Sequence, residues 1–279
     1  MDKFNQVMEY IEQHLEQEID YDKISKIACC CAFHFQRMFS YMTGISLTEY
    51  VRRRKMTKAG FDLQNSKEKI IDIALKYGYQ SPTAFNRAFQ SVHGIAPSCA
   101  RKQGVCLNAF YPISFQMVVK GVQKMQYKIC NKKSFSVAAV SMKLEKDMEK
   151  NFQKVPLFWQ EVQKNGTLEV LKNNIKKEPV GILGISDCCG KDWKYFIGVA
   201  TEEAVPEGME EIEIPEGTWA VFSGKGKAPE AIQELEKKVF TQWLPYSGYE
   251  YAQKPDIEVY YNQNPEDALF EVWICVVKK

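Results

Sequence analysis

At 279 residues, 45% hydrophobic and 26% charged, with a formal net charge of +2, the chain is long enough for two domains with separate cores. It contains no apolar run of about eighteen residues and no hydrophobic N-terminal leader, which predicts a cytoplasmic protein with neither a membrane span nor a secretory route. Nine cysteines, adjacent or scattered, lack the Cys-x-x-Cys spacing of zinc sites, so reduced thiols, no metal and no cofactor are expected.

The charge is unevenly placed. Residues 21–103 hold fourteen Lys and Arg against five Asp and Glu, whereas residues 1–20 hold one Lys against six acids and residues 104–279 hold 22 against 24. A basic segment of this kind suits phosphate contacts, which gain free energy by releasing counterions.

Taken in order, Phe4, Val7, Met8, Ile11 and Leu15 recur at helical spacing, predicting an amphipathic helix over residues 3–17. A stretch that occurs twice follows. FQRMFSYMTGI runs from Phe35 to Ile45 and FNRAFQSVHGI from Phe85 to Ile95, each with apolar residues at i, i+3, i+4 and i+7 and a glycine, Gly44 or Gly94, as helix stop. Upstream of each copy lies a shorter apolar pattern, Ile24, Ile27 and Ala28 or Ile70, Ile73 and Ala74. Each pair is therefore predicted as helix, tight turn, helix, the unit that seats its second helix in the major groove. A duplicated helical hairpin of purely structural use is the plain alternative, but the polar faces repeat too, as Gln36 with Arg37 and Asn86 with Arg87. Forked donors and acceptors of that kind suit base edges and phosphates. Between the copies a longer helix is predicted from Ser46 or Leu47 to about Leu63; it carries Arg52, Arg53 and Arg54, which join the DNA-contact candidates by their charge.

Ile73 to Pro97, IALKYGYQSPTAFNRAFQSVHGIAP, matches the signature region of the AraC/XylS regulators nearly position by position, and the first hundred residues resemble that family's DNA-binding domain. The resemblance implies two helix-turn-helix units reading consecutive major-groove segments of double-stranded promoter DNA. It places the base-facing positions at Phe33, Gln36 and Arg37 in the first unit and at Pro82, Thr83, Asn86 and Arg87 in the second.

Helical periodicity stops near Lys102. Residues 104–123 include Gly104, Pro112 and Gly121 and read as a connection, with ISFQMVV as a candidate extended strand. Beyond it, strand-like segments at 127–130 and 135–142, a helix around 151–164, and strands at 180–186 and 193–200 are followed by the same order at 209–214, 218–224, 228–243, 256–261 and 269–277. Strand, strand, helix, strand, strand, twice over, predicts an α+β domain with helices on one face of an antiparallel sheet. The expected layout is thus an all-α double helix-turn-helix domain over residues 1–103, a linker over 104–123 and the α+β domain over 124–279.

Strand LFEVWICVV, Leu269 to Val277, is apolar on both faces and so belongs near the sheet centre, with Glu271 sharing a face with Trp273. A buried carboxylate needs a partner. A salt bridge to a lysine is the plain reading; a counter-charge for a cationic ligand, enclosed by rings, is the functional one. Trp159, Tyr195, Trp219, Tyr260 and Trp273 are the candidate walls, and Glu258 is a second acid, expected to face solvent. The motifs IPEGTWAVF (Ile214 to Phe222), PDIEVYY (Pro255 to Tyr261) and FEVWI (Phe270 to Ile274) resemble those of the GyrI-like effector-binding domain. That resemblance implies a pocket for hydrophobic, often cationic compounds, with its buried acid at Glu271.

The function expected is a one-component transcription regulator, not an enzyme. Its N-terminal domain binds a promoter, and a small effector in the C-terminal domain alters DNA affinity, DNA geometry or contact with RNA polymerase. Two alternatives stand beside it. One is a GyrI-like hydrolase fused to a DNA-binding domain, with Glu271 as acid or base; the other is a groove that docks a protein.

Overall fold

The computed structural model describes residues 2–116, 125–188, 190, 192–262 and 264–279. Residues 117–124, which include the end of the expected linker and of its candidate strand, lie outside the described residues. Those described divide into two compact units. The first takes the N-terminal part up to Phe35 and resumes at Thr43; the second takes the C-terminal part and, with it, Gln36–Met42.

The first unit is helical. Helix α1 (Asp2–Gln13) is shorter than its apolar pattern, because the His14 amide bonds Ile11 O at 3.1 Å and its ring the Tyr10 carbonyl at 2.7 Å, tightening the last turn. Asp20 caps α2 (Tyr21–Ala28), accepting from the amides of Asp22 and Lys23 at 2.8 and 3.2 Å. Helix α3 (Ala32–Thr43) follows, of which Gln36–Met42 belong to the second unit, and Ser46 caps the linking helix α4 (Leu47–Asn65) by accepting from the Glu49 amide at 3.1 Å.

The second copy of the motif comprises α5 (Ile70–Lys76) and α6 (Pro82–His93). Ser81 caps α6, Pro82 occupies its first turn, and Gly94 ends it at φ 74°, a left-handed conformation that favours glycine. A short helix α7 (Pro97–Ala100), absent from the sequence reading, follows. Met56, Ala59 and Leu63 of α4 form one core with Ile73, Ala74, Phe85, Phe89 and Val92. Burial of each large apolar side chain is worth roughly 1.5–3 kcal/mol, and this packing fixes α6 against α4.

The second unit is built on a mostly long-stranded sheet: β1 (Lys128–Lys132), β2 (Phe135–Lys143), β3 (Ile182–Asp187), β4 (Lys194–Thr201), β5 (Glu210–Ile214), β6 (Gly217–Gly226), β7 (Tyr249–Tyr251), β8 (Asp256–Tyr260) and β9 (Ala268–Lys278). The order is β1-β6-β9-β8-β3-β4-β2-β5, with β7 on β9, and the pairs are antiparallel. Helices α8 (Met148–Lys164) and α9 (Thr167–Asn173) separate β2 from β3, and α10 (Glu230–Lys238) follows β6. Both α9 and the short β7 are additions to the sequence reading. The single helix expected to Trp243 instead widens after Lys238 into a π-turn, Val239–Trp243, in which Val239, Phe240 and Trp243 are all buried.

Register decides which side chains share a face. Glu258 pairs with Val272 and Gly184, whereas Glu271 pairs with Val259 and Ser223 and Trp273 with Ile257 and Val221. Since alternate residues point to opposite faces, Asp256, Glu258 and Tyr260 stand on one side of the sheet and Trp219, Glu271 and Trp273 on the other. The second side holds the apolar core of Leu183, Ile185, Val221, Ile257, Val259 and both tryptophans.

Candidate functional site

The aromatic residues expected to line one pocket fall into two groups, separated by the sheet. On the first face, Glu258 Oε2 accepts from the Tyr260 hydroxyl at 2.7 Å and from the Tyr195 hydroxyl at 3.0 Å. Trp159 of α8 donates its Nε1–H to that Tyr195 hydroxyl at 3.0 Å and packs edge-on against Tyr260 with ring centroids 4.9 Å apart. Tyr195 is buried, while Trp159, Glu258 and Tyr260 are half-buried.

Gly184 makes this cluster fit. A Cβ there would lie 2.8 Å from Glu258 Oε2 and closer still to the Tyr195 hydroxyl. The Tyr195–Glu258 bond therefore crosses β3 at the one strand position without a side chain. The sequence signal was the second glycine of VGILGIS, which marks a close approach but not its partner.

Desolvation pushes the Glu258 carboxyl up to about 7, with the negative charge of Glu236 adding to it and the two tyrosine hydroxyls opposing. Burial likewise raises both tyrosines, and the adjacent Glu258 adds to the effect. Among the described residues no cation bonds Glu258 directly, although the charge of Arg37 also opposes the rise. The expectation that it faces solvent is corrected: it is half-buried, its Oε2 is held by Tyr195 and Tyr260, and Trp159 of α8 packs on both tyrosines.

Glu271 shows the reverse. It is only 6% exposed, yet it accepts from Trp273 Nε1 and the Tyr261 hydroxyl at 2.8 Å each, from Lys128 Nζ at 3.1 Å and from the Ser223 hydroxyl at 3.3 Å. Burial raises its pKa, but those bonds outweigh it and hold the carboxyl below the usual range. Four protein donors satisfy it, so the salt-bridge reading describes it and the counter-charge reading does not. Trp219 and Trp273, with centroids 6.3 Å apart, are fully buried core residues on the same face.

A third acid cluster lies beside Glu258. In the second unit, Arg37 Nη2 donates to Asp256 Oδ2, its Nη1 lies 3.4 Å from Glu236 Oε1, and its guanidinium sits 5.1 Å from the Phe240 ring centroid. The Tyr41 hydroxyl donates to Glu236 Oε2, and the Tyr251 hydroxyl to Asp256 Oδ1 at 3.0 Å. Burial lowers the Arg37 pKa, but the two carboxylates more than compensate and raise it; burial raises that of Glu236.

The DNA-contact candidates divide in the same way. Pro82, Thr83 and Arg87 are exposed along one side of α6, and Asn86 is half-buried, with Gln90 Nε2 3.5 Å from its Oδ1. Phe33, Gln36 and Arg37 are buried, contrary to the exposed polar face expected of α3. Arg52 and Arg53 are half-buried and share Glu49, and Arg52 also donates to the Ser91 hydroxyl at 3.0 Å. Arg54 leaves the list: it is buried and bonds both oxygens of Glu12 at 2.8 and 2.7 Å as well as the Phe110 carbonyl. An arginine consumed by a carboxylate and a backbone carbonyl is a structural clamp on α1.

Cys29, the exposed first member of the cysteine triplet, has φ 54° at the C-terminus of α2, and Cys30 is buried. Among the described residues no helix is long and apolar enough to cross a membrane, and no group of three or more His, Cys, Asp or Glu could hold a metal ion.

Paired helix-turn-helix units followed by an antiparallel sheet domain define a DNA-binding regulator with an effector-binding domain. Residues 24–103 match a helix-turn-helix domain family, and residues 128–276, more than half of the chain, match the family described as Cass2, integron-associated effector binding protein. Over its N-terminal part the chain is 36% identical across 96 residues to the Transposon Tn10 TetD protein of Escherichia coli, covering 34% of this chain and 70% of that one. It is 35% identical across 91 residues to the multiple antibiotic resistance protein MarA of Escherichia coli K12, covering 33% and 72%. A solved structure, SAV2435 bound to tetraphenylphosphonium, has TM-score 0.49 and 21% identity over 55% of this chain and 94% of that one. The chain belongs to the integron-associated effector-binding family through its GyrI-like C-terminal domain, and it is a transcription regulator of the AraC/XylS type through its N-terminal domain.

Proposed function

We propose that the effector is a hydrophobic cation that docks on Trp159 and Tyr260 with its charge against Glu258. The supporting observation is a desolvated carboxylate that takes hydrogen bonds from two hydroxyls and, among the described residues, from no cation, with Trp159 packed edge-on against one of those two tyrosine rings. A delocalised organic cation gives up little hydration on entering such a site, gains cation–π attraction from the rings and relieves the desolvated charge. The DNA side of the reading assigns base contacts to Pro82, Thr83, Asn86 and Arg87 and phosphate contacts to Arg52 and Arg53. Phe33, Gln36 and Arg37 take part only when α3 presents its polar face. The expected switch changes DNA affinity or RNA polymerase contact, and a coupling of about 1–3 kcal/mol is enough.

Titration of the full chain with tetraphenylphosphonium, followed by tryptophan fluorescence, tests the effector half. Saturable quenching that weakens at least tenfold in Glu258→Gln, with no response to the neutral triphenylphosphine oxide, is expected. Equal binding of the neutral compound, or an unchanged titration in Glu258→Gln, rejects a cation site at this carboxylate.

A further inference from the structure

Arg37 already presents a cation to the acid cluster of the second unit. Glu236, Asp256 and the Phe240 ring enclose its guanidinium from two carboxylates and one aromatic face, the same chemistry that Glu258 and its rings offer an effector. Asp256 and Glu258 are two residues apart on β8, hence on one face, at a rise of roughly 3.3 Å per residue. Arg37 bridges Glu236 and Asp256, and the charges of Glu236 and Arg37 both act on Glu258, so the three carboxylates belong to one charge cluster. The rest of the segment supports a reversible seat. Tyr41 adds a hydroxyl to Glu236 and meets Phe152 of α8 in a tilted ring contact, with centroids 6.3 Å apart. The Gln36 amide, only 1% exposed, has no hydrogen-bond partner for its nitrogen or oxygen among the described residues. A buried amide left unmatched opposes the seated state. Such a group gains most by leaving for a place where its donors and acceptors are met, as a base edge would meet them.

We propose that Arg37 is an internal ligand of the Glu236–Asp256 pair, and that an organic cation bound at Glu258 competes with it, unseating Gln36–Met42 and freeing the polar face of α3 for DNA. This rests on the effector reading above. The Arg37 charge already acts on Glu258, so a second cation there would be repelled by it in this poorly solvated site, and each weakens the other's binding by the same factor. The effector would thereby act as an exchange partner for a guanidinium carried by the reading helix itself.

Two measurements on the full chain decide it. First, tetraphenylphosphonium affinity is compared between the unaltered chain and Arg37→Gln, with Arg37→Lys retaining the charge. Second, amide hydrogen exchange over residues 36–42 of the unaltered chain is followed with and without saturating tetraphenylphosphonium. Expected are about tenfold tighter probe binding in Arg37→Gln, near-original affinity in Arg37→Lys, and loss of protection over 36–42 on adding the probe while β3 and β9 stay protected. Saturable, Glu258-dependent binding that Arg37→Gln leaves unchanged, or unchanged protection at saturation, overturns the competition but not the effector site. Absence of saturable binding in both chains overturns the effector site and the competition together. Should Arg37→Gln fold poorly, the exchange measurement on the unaltered chain still decides.

Discussion

The Tyr260 hydroxyl donates a 2.7 Å hydrogen bond to Oε2 of Glu258, two residues back on the same strand. Both side chains leave β8 on one face, so the bond runs along the strand. Tyr195 bonds the same oxygen, and among the described residues none donates to the other.

Effector binding should depend on pH through this group. With its carboxyl pushed up to about 7, Glu258 is protonated below that value and loses its attraction for a cation. Tetraphenylphosphonium affinity is expected to rise between pH 6 and pH 8 and level off above, and to become flat with pH in Glu258→Gln. A flat profile in the unaltered chain would show that another group carries the charge.

Closing the gap at Gly184 should disable the cluster without touching its polar atoms. In Gly184→Ala the new methyl competes with the Tyr195 hydroxyl and Glu258 for one space, so Tyr195 must withdraw. Probe affinity should fall about tenfold or more, and thermal denaturation should report a loss of about 1–3 kcal/mol, the usual range for overpacking. Retained affinity in this variant would mean the Tyr195–Glu258 bond is dispensable.

Glu271→Gln separates structure from binding. It weakens a buried set of four hydrogen bonds, a change expected to cost about 1–3 kcal/mol in denaturant titration, with probe affinity within about twofold of the unaltered chain. Because this carboxyl is held below its ordinary pKa, its stabilisation is present above about pH 4.5 and is lost as pH falls through the folded-state value. The acid limb of a stability profile should flatten in the variant.

On the DNA side, Arg87→Ala and Arg54→Met should fail differently. Arg87 is exposed on α6, and its loss is expected to weaken operator binding by about 1–3 kcal/mol with little change in melting temperature. Arg54 is spent on Glu12 and Phe110; removing it strands a partly buried carboxylate and should cost about 3 kcal/mol of stability. Mobility shifts on an operator selected from random duplexes, beside thermal melts, distinguish the two.

His93 gives the reader domain an acid weakness. Burial between α4 and α6 holds its pKa below the ordinary value, opposed only by the 2.9 Å contact of Nε2 with the Met56 carbonyl. The unfolded chain takes up a proton near pH 6.5 and the folded one only at lower pH, so stability falls as pH drops through that window. Exchange of the α6 amides should quicken between pH 7 and pH 5, after correction for intrinsic rates, and less so in His93→Gln.

The amino-acid order alone was enough for the parts governed by local rules. Ser81, Pro82 and Gly94 mark the ends of α6, the i, i+3, i+4, i+7 apolar positions mark its buried side, and the strand period shows that Glu258 aligns with Tyr260 and Glu271 with Trp273. These follow from backbone geometry and capping, which reach only a few residues. Tertiary packing decided which acid is matched. Period two sorts residues into faces without telling which face receives α8, so Lys128, Ser223 and Tyr261 could satisfy Glu271 and Trp159 could pack on Tyr195 and Tyr260 only once distant segments met. The seat of Arg37 on Glu236 and Asp256 is of the same kind: Asp256 lies 219 residues away in sequence, and no local propensity carries information over that distance.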